Sequence, residues 1–149
     1  MKLVWFALFV PLAATAFAQA PPEPQSPATM KQLMLDLIYP ASNEILLFVA
    51  RGTPKTEAEW AAVRRSALAL AESANSLAMR GRARDPGDWM KDANLLSNVG
   101  SAAYQAAQAR DFPALAALTN TLDASCTTCH KQYRPNVFPP GPRATGGSK

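Results

Sequence analysis

Cys126-Thr127-Thr128-Cys129-His130, close to the end of a 149-residue chain, is the stretch from which the rest of the sequence becomes readable. Two cysteines three positions apart, with a histidine directly after the second, form the pattern of covalent c-type haem attachment. The spacing has a physical reason. Positions i, i+3 and i+4 of a helix share one face, so both thiols can reach the two vinyl groups along one porphyrin edge. The imidazole of His130 then comes up beneath the ring and can bind its iron axially. Three other readings are weaker. A redox-active Cys-x-x-Cys belongs after a strand in an alternating strand and helix chain, and no strand-like run is present. A structural zinc needs four ligands, whereas the chain holds two cysteines and one histidine. A disulfide across three helical residues closes a small, poorly shaped ring.

Immediately upstream, Asp111 with Pro113 behind it is a strong helix start. Leu115, Leu118, Leu122, Cys126, Cys129, His130 and Tyr133 follow down one side, so an apolar stripe runs directly into the motif. Three more helical stretches precede it. The first, from Ala28 to about Arg51, carries Met30, Met34, Leu37 and Ile38 and then Ile45, Leu47 and Phe48, with Pro40 expected to kink or interrupt it. The second opens on a Thr56/Glu59 capping box and keeps Trp60, Val63, Ala67, Leu70, Ala74 and Leu77 inward, with Gly81 as its stop. The third runs from about Asp88 to Arg110 with Trp89, Ala93, Leu96, Gly100, Ala103 and Ala107 inward. Its small residues leave room for a close helix or for a haem. Trp60 and Trp89 read as core anchors, and Met79 and Met90 as packing residues.

Four helices with short connections predict an all-α, antiparallel, up-down-up-down bundle over residues 28–134, with haem attached near the end of the fourth helix. Around it lie a predicted signal peptide (1–18), a proline-rich lead-in (19–27) and a proline- and glycine-rich tail (135–149). Met1-Lys2, an apolar run and Ala16-Phe17-Ala18 form the leader, with cleavage expected after Ala18. The apolar run is short and holds Pro11, so stable membrane insertion is not expected. Export to the periplasm agrees with the motif, because haem c is joined to its protein outside the cytoplasm. The net charge of +4 is mild and its basic residues are scattered, apart from Arg80, Arg82 and Arg84. Nothing argues for nucleic acid. That triplet is a solvated helix end or a partner for haem propionates or an acidic redox protein.

The C-terminal Cys126-x-x-Cys129-His130-x-x-Tyr133-Arg134 resembles the class II c-type cytochromes, the cytochrome c′ and cytochrome c556 group, over roughly residues 28–134. The resemblance implies one haem c per chain, thioethers at Cys126 and Cys129, His130 as proximal iron ligand, and Tyr133 and Arg134 in the haem environment. It also implies two choices for the sixth iron position. A methionine on the first helix gives a low-spin electron carrier that needs a redox partner protein. An open or crowded position gives a five-coordinate haem that binds nitric oxide or other small gases. Lys31-Gln32-Leu33-Met34 resembles the ligand-bearing stretch of the first type, which favours Met34, with Met30 one turn earlier as the other candidate. His130 is the chain's one histidine, so two-histidine ligation within a chain is excluded. The reading is of a carrier rather than an enzyme, and the family's helix pairing allows a homodimer.

Overall fold

The computed structural model describes residues 26–52 and 56–136. The predicted leader and its expected cleavage point, most of the lead-in and most of the tail lie outside them. Among the described residues every regular element is helical and no strand occurs. Helix α1 spans Met30–Ala50, α2 spans Glu57–Asn75 with a tight turn at Ser76–Ala78, and α3 spans Asp88–Ala109. The fourth arm is α4, Phe112–Ala117, followed after a bend at Leu118 by α5, Thr119–Tyr133.

Pro40 acts on α1 without ending it. The stretch Leu33–Ile38 is wound as a π-helix, and the Tyr39 amide donates to the Met34 carbonyl five residues back. Proline has no N–H to continue an α-helical ladder, and its ring crowds the carbonyl four residues earlier. Widening the turn before it by one residue removes the clash. The extra residue also shifts the buried face. Leu33 comes beneath Ile38, and the two are 2% and 4% exposed. Leu37 and Leu47, expected inside, are exposed, as are Leu35 and Tyr39. By length and composition alone α1 could cross a membrane, yet its buried side joins the common core through Ile45 and Phe48.

Helix α2 follows its sequence closely. Thr56 accepts from the Glu59 amide and the Glu59 carboxylate accepts from the Thr56 amide, so two otherwise unbonded donors are satisfied. All six residues of the expected seam are buried. The helix ends at Asn75, earlier than Gly81, which instead turns the following loop at φ +88. Phe48 and Trp60 meet with ring centroids 5.1 Å apart, tying α1 to α2.

The small residues of α3 have their explanation here. A Cβ on Gly100 would lie 2.7 Å from the Ala71 backbone nitrogen, so α2 and α3 approach almost backbone to backbone. Among the described residues they share the largest interface between two helices. The small face therefore serves helix packing, and the space for a large group opens at the other end of α3, beside Trp89. Arg110 ends α3 in the left-handed region at φ 55, and Asp111 caps α4 by accepting from the Ala114 amide. Leu115 and Leu122 then carry the core down the fourth arm, both essentially without exposure.

Candidate functional site

Helix α5 packs mainly on α3 and more lightly on α1, and the backbone of the π-wound stretch Leu33–Ile38 stays more than 8 Å from that of α5, so the two meet only through side chains. The space between them is a cavity of about 500 Å³. From α1 it is lined by Met30, Lys31, Met34 and Leu35, from α3 by Trp89, and from the end of α5 by Cys129, His130 and Tyr133. A smaller cavity of about 30 Å³ adjoins it, lined by Met34, Ile38, Leu77, Asp92, Cys126, Cys129 and His130 among others. Cys129, His130, Met34 and Trp89 border both.

The helical spacing brings Cys126, Cys129 and His130 to this one side of α5, as their positions in the sequence predict. Both cysteines are half-buried and unbridged. Burial pushes the Cys126 thiol up. Burial, and then the negative charge of Asp92, push Cys129 up to about 11. Burial and the nearby Arg134 guanidinium move His130 below the usual imidazole range, which favours the neutral ring over the charged one. Among the described residues no group of three or more His, Cys, Asp or Glu side chains converges as a metal cluster.

Trp89 forms one wall and is held from several directions. Its indole N–H donates to the Leu77 carbonyl at 2.8 Å, its ring meets Tyr133 edge-on at 4.9 Å, and the Arg84 guanidinium carbon lies 6.0 Å from its centroid. Tyr133 in turn donates to one oxygen of Asp85, whose other oxygen accepts from the amides of Gly87 and Trp89. The loop before α3 is thus latched to the end of α5, one turn beyond His130.

The cations at the cavity are Lys31, Arg84 and Arg134. This divides the arginine triplet of the sequence. Arg84 faces the cavity, whereas Arg82 donates to Ser26 and to the Ala28 carbonyl and secures the chain just before α1. Arg80 is exposed. Met79 and Met90 border neither cavity. Sequence reading missed Asp92, Asp85, Lys31 and Leu35. A signal existed for Asp92, which falls three residues after Trp89 and four before Leu96 on a face that is otherwise apolar. Asp85 reads as an ordinary turn residue, and only the fold brings Tyr133 to it.

The latch predicts a pH dependence. The hydrogen bond from Tyr133, followed by those from backbone amides, holds the Asp85 carboxyl below its usual range. A depressed carboxyl pKa contributes stability that is present above the unfolded value and lost as pH falls through the folded one. Burial and Asp85 push the Tyr133 hydroxyl up, and that contribution is lost as pH rises above about 10, the unfolded value. The urea midpoint of the parent should therefore exceed that of Tyr133→Phe most between about pH 5 and pH 9, with the gap closing on both sides. A gap that stays constant from acid to alkali removes the latch from the account.

Scanned against protein-family models, searched against curated proteins and compared with solved structures, the chain finds no match.

Proposed function

We propose that this is an exported c-type haem protein that carries single electrons in the periplasm. Haem c is bound by thioethers at Cys126 and Cys129, His130 is the proximal iron ligand and Met34 the distal one. The four helical arms are read as an antiparallel up-down-up-down bundle. One observation carries the proposal: His130 from α5 and Met34 from α1 border the same large cavity, and both border the inner one with the two cysteines. Met30 reaches only the outer cavity, which favours Met34 of the two methionines.

The residues present suit a haem. A cavity of about 500 Å³ with an apolar wall and a few placed polar groups has the size range of small-molecule and cofactor sites. Lys31, Arg84 and Arg134 supply positive charge for two propionates. When bound, the group supplies a one-electron ferric/ferrous couple. The chain's own residues tune it. His130 offers a neutral nitrogen from a helix that also holds both attachment points. Met34 offers a neutral, soft thioether, which favours the ferrous state and raises the potential. Ile38, Leu77, Trp89, Ala93 and Leu96 give the inner cavity an apolar lining, and apolar surroundings disfavour added net charge. The cationic rim gives an acidic redox partner a site to be steered to.

The test is the absorption spectrum of the haem-loaded protein, ferric and ferrous, with and without nitric oxide. A low-spin spectrum with the weak far-red band of sulfur bound to ferric iron is the expected result. A high-spin spectrum that changes at once with nitric oxide replaces electron carriage with gas binding, and Met34 becomes packing.

A further inference from the structure

Two oxidisable rings touch at the large cavity. Trp89 is buried and borders both cavities. Tyr133 is half-buried and meets the indole edge-on, with ring centroids 4.9 Å apart. Its hydroxyl donates to one oxygen of Asp85, and the amides of Gly87 and Trp89 hold the other, so the carboxylate is fixed against the phenol. The two rings have opposite charges beside them. The Arg84 guanidinium carbon lies 6.0 Å from the indole centroid, and a cation there opposes positive charge on that ring. Tyr133 has instead a carboxylate already bonded to its hydroxyl and placed to take the proton. An electron withdrawn toward the cavity is therefore supplied more easily by Tyr133 than by Trp89. Among the described residues no other tyrosine hydroxyl meets a carboxylate: Tyr104 accepts from the Gln108 side-chain amide, and Tyr39 is 65% exposed on α1.

A reduced one-electron carrier has one electron to give, whereas hydrogen peroxide needs two to become water. A single electron splits peroxide into hydroxide and a hydroxyl radical, which attacks whatever side chain it meets. We propose that Tyr133 is the second electron donor when peroxide meets the reduced protein, passing its electron through Trp89 toward the cavity and its hydroxyl proton to Asp85. The proposal rests on the haem reading above. The step balances. Peroxide takes two electrons and two protons, its O–O bond breaks, and two waters form. One electron comes from the ferric/ferrous couple and the other from Tyr133, which becomes a neutral phenoxyl radical. Two protons reach peroxide from solvent, and Asp85 returns one there. The Gln132 side-chain amide donates to the Tyr133 oxygen at 3.3 Å and supports it once the proton has gone. The next electron the protein receives, with a proton from solvent, restores the tyrosine.

The experiment mixes the ferrous, haem-loaded full chain with one equivalent of hydrogen peroxide, with and without a nitrone spin trap, and reads rapidly frozen samples by electron paramagnetic resonance. The parent should show a tyrosyl signal and little trapped hydroxyl radical. Tyr133→Phe should lose the tyrosyl signal and gain the trapped radical. Asp85→Asn keeps a hydrogen-bond acceptor but no base, and should lose the tyrosyl signal as well, with Asp85→Glu restoring it. Arg84→Gln removes the cation beside the indole and should let a tryptophanyl signal appear, which a packing role for these residues would not produce. Tyr39→Phe and Tyr104→Phe should leave the parent signal as it is. Absorption spectra matched across the variants before peroxide is added keep a damaged haem site from imitating the effect. A tyrosyl signal that survives Tyr133→Phe or Asp85→Asn overturns the proposal, as does a parent that peroxide oxidises to the ferric form without any tyrosyl signal. Either result leaves the haem reading intact. Absence of a tryptophanyl signal in Arg84→Gln overturns the route through Trp89. A chain that takes up no haem overturns both the proposal and the reading beneath it.

Discussion

Met34→Ala is expected to convert the haem-loaded protein from low spin to high spin and to lower its reduction potential by on the order of 100 mV, a fraction of the roughly 0.8 V that axial ligands span. The reasoning starts from the π-wound turn of α1. Because Pro40 forces an extra residue into Leu33–Ile38, Leu33 takes the fully buried position beneath Ile38, and Met34 is left half-buried at the border of both cavities. A thioether placed there reaches the space that His130 borders from α5. Removing it leaves the iron without its soft neutral ligand, so ferric iron is relatively favoured and the potential falls. Met30→Ala is the matched control and should leave the spectrum as it is, since Met30 borders only the outer cavity. Redox titration and the far-red sulfur band together decide it. An unchanged spectrum in Met34→Ala takes this residue out of the iron's coordination.

Gly100→Ala should destabilise the fold, although the same exchange in an ordinary helix interior stabilises it by about 0.5–1 kcal/mol. The added methyl would meet the Ala71 backbone nitrogen at 2.7 Å and its Cα at 2.9 Å. Backbone cannot swing aside as a side chain can, so α2 and α3 must separate across their whole shared face. Overpacking of this kind costs about 1–3 kcal/mol, and after the helix-propensity gain a net loss of about 1–2 kcal/mol is expected. For a domain of this size that is a drop in Tm of roughly 5–15 °C. A thermal melt of the haem-loaded protein measures it. A Tm equal to or above the parent's would mean that the two helices slide apart at little cost.

These two residues show how differently a sequence speaks. Gly100 lies in a run of small residues that reads equally as a close helix contact or as room for a haem, and periodicity cannot tell the two apart. The backbone distance to Ala71 does. Met34 was singled out by its position in Lys31-Gln32-Leu33-Met34, but the face it presents depends on the widened turn before Pro40. A regular 3.6-residue period places Leu37 inside, and the π-turn places it outside. The seam of α2, by contrast, was fully legible, because a capping box and an unbroken period leave little for the fold to change.

By itself the sequence determined the chemical donors and the helices that carry them. Cys126, Cys129 and His130 share a helix, so their common face follows from 3.6 residues per turn, and Asp111 with Pro113 and Thr56 with Glu59 set helix starts through hydrogen bonds only three residues long. Those are local interactions, fixed by neighbours in the chain. Tertiary structure decided what the donors meet. It set Met34 and His130 on one cavity, brought Asp85 under Tyr133, and put the Asp92 carboxyl on the inner cavity with both cysteines. Each of these joins residues far apart in sequence, and such meetings are fixed only when whole helices settle against one another at the distance their interface side chains allow.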